Sequence, residues 1–302
     1  MRKNVRVLMM LAAMVAVLML SSLSAFAAEG VDWANAGITV TGYGVMPPNA
    51  RSAAQGRLMA RRAAVVDAYR QLAETIKGVN VDSETTVQNM MTLDDTTKTK
   101  ISAFIQGARI VSEQVIADGT YEVTMSVPMF GVSNSLASAV MPRPAAVESF
   151  PQPVATVTPS VPASVHVDVT ITQQPAASAP QGSSAAAAPA GKAIGGYTGL
   201  IVDCSGLGLN PVMSPVIKNA LGQPIYGYKN LDYDRVVSNG MAGYTSDVHN
   251  AVRAGTNPLV VRAIGLDNHN GNPILATADA NRVLIENGAT GFLDRTAVVF
   301  IR

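Results

Sequence analysis

The chain has 302 residues, 14% of them charged, with 22 Lys and Arg against 21 Asp and Glu and a single cysteine. That near-neutral balance offers no basic excess for nucleic acid and no acidic tail for a cationic partner. One cysteine excludes an internal disulfide, and a charged fraction below the usual quarter leaves the surface to Ser, Thr, Asn, Gln and Gly, as suits an extracytoplasmic protein.

Arg2, Lys3 and Arg6 precede an uninterrupted apolar run from Val7 to Leu20, and small residues then lead to Ala25-Phe26-Ala27. That order is a secretory signal, and the run is short of the roughly 20 apolar residues a spanning helix needs. Residues 1–27 are therefore expected to be removed after Ala27. Three of the 22 basic residues go with them, leaving 19 against 21 and a charge of −2. Cys204, the one cysteine, lies far from this site, so no lipid anchor is expected there. The expected location is the periplasm or the outer-membrane periphery, with membrane association only through partners.

Residues 28–141 read as a small α+β domain. Ile38 to Gly44 alternates and ends in glycines, as a strand does. Asn49 is placed to cap a helix from Ala50 to about Lys77, and Gly78 to stop it. Leu58, Val65, Tyr69, Leu72 and Ile76 recur near the helical period and are expected to face the core. Arg51, Arg57, Arg61, Arg62 and Arg70 take other positions and form the candidate interaction surface: a basic patch for anionic lipid, glycan or an acidic partner, or a solvated face partly compensated by Asp67 and Glu74. Ala108 to Ile116 and Thr120 to Met129 flank Asp118-Gly119 and read as a β-hairpin.

Residues 142–194 change character. Nine of the 17 prolines lie between Pro142 and Pro189, and only Arg143, Glu148, Asp168 and Lys192 carry charge up to Lys192. Such a stretch buries too little apolar area to offset its ordering entropy and reads as a semi-rigid linker, long enough to separate two domains by roughly 100 Å or more. Val165 to Thr172 alternates within it, either by chance in a Val-rich tract or as a strand offered to a partner's sheet edge.

Residues 195–302 read as a second, β-rich α+β domain. Gly199 to Asp203 suggests a buried strand. Val212 to Lys218 and Pro224 to Tyr228 suggest a hairpin around Asn219 to Gly222. Ser246 or Asp247 would cap a short helix ending near Gly255. Pro258 to Ile264 suggests a strand, Asp279 to Asn287 a helix closed by Gly288, and Thr296 to Ile301 a last strand that must pair within the fold.

Chemistry is sparse. His166, His249 and His269 have no ligand spacing with one another or with Cys204. Gly206-Leu207-Gly208 begins like a dinucleotide loop, but Pro211 stands at the third glycine position. Asp267 to Asn272 lacks the spaced carboxylates and closing glutamate of a calcium loop and reads as a polar turn. Ser205 has no G-x-S-x-G frame, and Asp203, Asp232, Asp234, Asp247 and Asp279 are scattered. No catalytic residue, cofactor or metal is assigned.

Ala60-Arg61-Arg62-Ala63-Ala64-Val65-Val66-Asp67-Ala68-Tyr69-Arg70-Gln71-Leu72-Ala73-Glu74, with the strand before it and Gly107 to Val111 and Gly119 to Val123 after it, resembles a family of bacterial outer-membrane lipoproteins and flagellar accessory proteins. That family includes the flagellar lipoprotein FlgP and the N-terminal domain of flagellar assembly protein T. The resemblance covers about the first half of the mature chain. Tyr197 to Asp203 with Gly206-Leu207-Gly208 looks like a domain that accompanies the first in larger envelope proteins. The resemblance implies a non-catalytic part in envelope architecture, such as rings or disks around a flagellar base, although this chain lacks the acylated cysteine. The expected function is an assembly or scaffold component with other envelope or flagellar proteins, or further copies of itself, as partners. The alternative is a periplasmic module binding a small ligand or glycan.

Overall fold

A computed structural model describes residues 30–116, 119–154 and 191–302. The expected signal peptide and the alternating stretch Val165 to Thr172 lie outside them. The α+β class with two domains is as the sequence indicated.

In the first half, β1 (Gly30–Asp32), β2 (Gly37–Gly44), β3 (Arg109–Val115) and β4 (Tyr121–Pro128) form an antiparallel sheet in the order β1-β2-β4-β3. The 25-residue helix α1 (Ala53–Lys77) lies across β2 and β4. Its cap is Ser52, whose side chain accepts from the Gln55 N–H, and not the expected Asn49.

The buried stripe of α1 also departs from expectation. Gly56, Ala60, Ala64, Ala68, Leu72 and Ile76 are buried, whereas Leu58 is 64% exposed and Val65 and Tyr69 are half-buried. The cause lies in β2. A Cβ on Gly44 would stand 2.0 Å from the Ala60 carbonyl oxygen, and one on Gly42 would stand 2.3 Å from the Ala68 nitrogen. Helix and strand backbones thus touch, and only small residues fit between them. Leu72 and Ile76 are buried as expected, and it is only beside Gly42 and Gly44 that the close approach keeps large side chains off the helix face.

Two helices follow that the Thr-rich sequence did not announce, α2 (Val87–Leu93) and α3 (Asp95–Gln106). Asp94 ends the first and caps the second, accepting from the Thr96 and Thr97 N–H groups. The expected hairpin is β3 with β4, and a one-turn helix α4 (Leu136–Val140) closes this half.

The second half is a seven-stranded mixed sheet. Its strands are β5 (Gly199–Asp203), β6 (Ile217–Asn219), β7 (Pro224–Tyr226), β8 (Gly243–Thr245), β9 (Pro258–Asp267), β10 (Asn272–Leu275) and β11 (Val298–Ile301). They run in the order β7-β6-β10-β9-β5-β11-β8. The β6–β7 hairpin is the expected one, and the last strand, β11, pairs parallel with both β5 and β8. Helix α5 (Tyr233–Asn239), capped by Asp232, was not foreseen. The expected helix after Asp247 is instead two successive 3-10 turns, Val248–Asn250 and Val252–Ala254. Helix α6 (Thr277–Thr290) runs through Gly288 and stops at Gly291, whose φ of 64° is left-handed. Asn287 holds the exit, its carbonyl accepting from the Gly291 N–H and its side-chain oxygen from the Leu293 N–H.

The largest correction concerns the linker. The halves pack against each other and share one buried apolar cluster. Met213 and Ser214 donate backbone N–H groups to the carbonyls of Asn80 and Val81 at 3.0 and 2.8 Å, and the Trp33 ring meets Tyr244 edge-on at 5.5 Å. Residues 142–154, expected to be linker, are laid along the second half. Arg143 pairs with Asp234 at 2.6 Å and sits over the Tyr233 ring. The Glu148 N–H bonds the Lys229 carbonyl, and Phe150 stacks on Tyr226.

Both edges of the undescribed stretch 155–190 then meet the same helix. On α6, the Asn281 amide accepts from the Val154 N–H and donates to its carbonyl, at 2.8 and 2.7 Å. The buried Glu286 carboxylate accepts from the N–H groups of Ile194 and Gly195 at 2.8 and 2.9 Å. Five residues of helix rise only about 7.5 Å. The Pro-rich stretch therefore starts and ends on one helix of the second half instead of spanning the gap between two bodies.

Candidate functional site

The five arginines singled out in the sequence all lie on or just before α1, outside its buried stripe, but they are not one free cluster. Arg61 Nε donates to Glu113 on β3 at 2.7 Å. Arg70 reaches Asp67 at 2.8 Å and Glu74 at 3.2 Å. The Arg70 guanidinium, followed by the Tyr43 N–H at 3.1 Å, holds the Asp67 carboxyl below its ordinary range. Asp67 thus joins helix to strand as well as compensating charge. Arg51, Arg57 and Arg62 are exposed, and no ion pair of theirs appears among the described residues.

Around Arg62 the sequence reading missed an apolar component. Leu58 and Val66 flank it one turn away on either side, at 64% and 67% exposure, and Met59 is beside them. Residues four apart on a helix are neighbours, so Leu58, Arg62 and Val66 form one outward row. Alongside runs β3, the edge of its sheet, with all seven residues exposed, including Ile110, Val111 and Val115. A β-bulge between Ile110 and Ser112 interrupts that edge, and Arg109 and Glu113 charge it. Bulge and charge are devices that block indiscriminate strand pairing. What remains is a rigid, mixed apolar and cationic helix face.

Chemistry of the catalytic kind gathers nowhere among the described residues. Cys204 is fully buried at the end of β5, and burial, then the charge of Asp203, pushes its thiol up to about 12. A thiolate nucleophile requires the opposite shift. No group of three or more His, Cys, Asp or Glu side chains among the described residues is placed to hold a metal ion. His249 lies in the first 3-10 turn, and His269 belongs to the turn between β9 and β10, its Nδ1 3.0 Å from the Ser83 carbonyl oxygen across the domain boundary. His166 lies outside the described residues. Asn268, His269 and Asn270 all have positive φ, so the polar turn expected at Asp267 to Asn272 is a left-handed turn, and through His269 it docks the halves. A depression of about 360 Å³ lies between the 142–154 strap and α6, but its amides from Asn219 and Asn281 are already bonded to Gln223 and Val154.

Residues 46–127, which carry α1, α2, α3, β3 and nearly all of β4 but not the strand β2 that α1 packs on, match the LPP20 lipoprotein family. Residues 46–127 resemble an LPP20 lipoprotein domain. The seven-stranded half, residues 199–302, matches the second domain of Treponema pallidum Tp0624. No curated protein matches the chain. The LPP20-like domain supports the lipoprotein-type resemblance read from the α1 sequence, and it carries the whole exposed face of α1. No helix among the described residues is long and apolar enough to cross a membrane.

Proposed function

We propose that the chain is a non-catalytic, exported envelope protein that serves as an assembly component, docking other envelope proteins through the outer face of α1. The observation that carries this reading is the row Leu58, Arg62 and Val66, exposed on a rigid helix whose small residues are spent on its own sheet. Exposed apolar side chains gathered on one face mark an interaction site, and arginine and methionine, present here as Arg62 and Met59, are among the residues enriched in protein interfaces. Likeness to a lipoprotein family supports an envelope location. A flagellar-type structure is the finer form of the proposal, resting on the resemblance in the α1 sequence.

The test is crosslinking in cells, comparing the native chain with the L58E, R62E, V66E triple variant, all at exposed positions. Loss of the high-mass adducts with retained secretion and circular dichroism is expected. Adducts of unchanged identity and yield would remove α1 as the docking face.

A further inference from the structure

The second half carries an unfinished sheet. Strand β9 is the fourth of seven, and pairs parallel with β5, which pairs parallel with β11. Parallel strands at the centre of a sheet are ordinarily covered on both faces. On one face Leu259, Val261 and Ala263 of β9 pack into the main core with α6. On the other, Ile201, Val299 and Ile301 are covered by Ala251 and Ala254 of the 3-10 turns. That cover stops short of β9. Val260 and Ile264 stand 53% and 58% exposed in the middle of the sheet, with Arg262 between them.

The charges on this face are two of each sign. Arg262 is the register partner of Asp203 on β5, and Lys218 of β6 pairs with Asp267 at 2.6 Å. With no net positive field, the face is poorly suited to an anionic membrane or an acidic polymer. It is suited to its own copy. A two-fold axis between β9 and β5, parallel to them, sets each Arg262 guanidinium over the other copy's Asp203 carboxylate and brings each Val260–Ile264 row against the β5 side of the same face on the other copy, a self-complementary arrangement as isologous interfaces require.

We infer that the open face of the β9 sheet is a homodimer interface, in which a second copy of the chain supplies the missing layer over Val260, Arg262 and Ile264. It uses the face of a different domain from α1, so it stands or falls apart from the docking proposal.

The experiment is sedimentation velocity of the mature chain alone, from about 1 to about 100 μM, a range that brackets interfaces of ordinary size. The native chain is expected to dimerise, and V260E with I264E to weaken the dimer by at least about tenfold, while L58E with V66E on α1 leaves it intact. A second readout keeps the test open should the double glutamate variant fold poorly. R262C treated with a short bis-maleimide should give a crosslinked dimer, free of competition from the buried Cys204. A chain monomeric across the range, a dimer indifferent to the β9 variants, or R262C that yields no crosslinked dimer would overturn the assignment.

Discussion

Because both ends of the Pro-rich stretch are held by α6, that stretch should be removable. Between the anchor at Val154 and the one at Ile194 lie residues 155–193, 39 in all. Replacing 155–190 by five Gly and Ser residues leaves about 8 between the anchors, enough to reach between sites about 7.5 Å apart on the helix. Closing a loop costs free energy as the logarithm of its length, so shortening from 39 to 8 favours the folded state by about 1.4 kcal/mol. Urea denaturation followed by circular dichroism measures this. The expected result is a single transition at a higher midpoint with an unchanged slope, since the surface exposed on unfolding hardly changes. An unfolding free energy lowered by about 2 kcal/mol or more, or a transition split in two, would show that the stretch does structural work that the anchors do not capture.

Gly44→Ala should cost about 3 kcal/mol or more, because its methyl meets the Ala60 carbonyl oxygen at 2.0 Å and neither backbone can yield. Gly37→Ala, with open space around it, should stay within about 1 kcal/mol; equal melting temperatures for the two would contradict the close-packed helix and strand. Glu286→Ala strips acceptors from the N–H groups of Ile194 and Gly195 and should cost about 3 kcal/mol, with Glu286→Gln recovering part; a urea midpoint barely moved by the alanine would show the anchor to be incidental. Cys204 should resist thiol reagents until the protein unfolds. Its folded pKa, raised by burial from 9.0 to about 12, means that the native state keeps a proton that the unfolded state releases. The stability this contributes is intact below pH 9.0 and falls by up to about 1.4 kcal/mol per pH unit up to about pH 12. Alkaline titrations of Cys204→Ala and the native chain should diverge in that window, and parallel curves would refute the shift.

The strands that carry their own β pattern were legible: β2, the β3–β4 and β6–β7 hairpins, β5, β9 and β11 lie where alternation and turn residues put them. The short helices were not. α2 and α3 fall in a run of Met, Thr, Asp and Lys whose periodicity is weak, and they form because Thr86 and Asp94 cap them and Val87, Ile101 and Phe104 find a core. Leu72 and Ile76 of α1 were correctly read as core, but Leu58, Val65 and Tyr69 were misread because apolar period outranked size. The signal was present in Gly42 and Gly44 facing alanines four apart, but it becomes meaningful only once strand and helix are known to touch. Composition also misled at residues 142–154, where prolines suggested a free spacer and Arg143, Phe150 and their partners instead bind it to the second half. The five arginines lie outside the buried stripe of α1, as their helical positions indicated, while the exposed apolar row beside Arg62 was hidden by the assignment of Leu58 to the core.

That the halves form a single body, with Val154 and Ile194 both held on one helix, is tested most directly by small-angle X-ray scattering of the mature chain. A compact globule of about 275 residues has a radius of gyration near 19 Å, and a segment tethered at both ends adds only a few ångströms to it. The account predicts about 20 Å per protomer, with one maximum in the pair-distance distribution. A radius of roughly 40 Å or more with two separated maxima, as for domains held far apart by an extended tether, would contradict it.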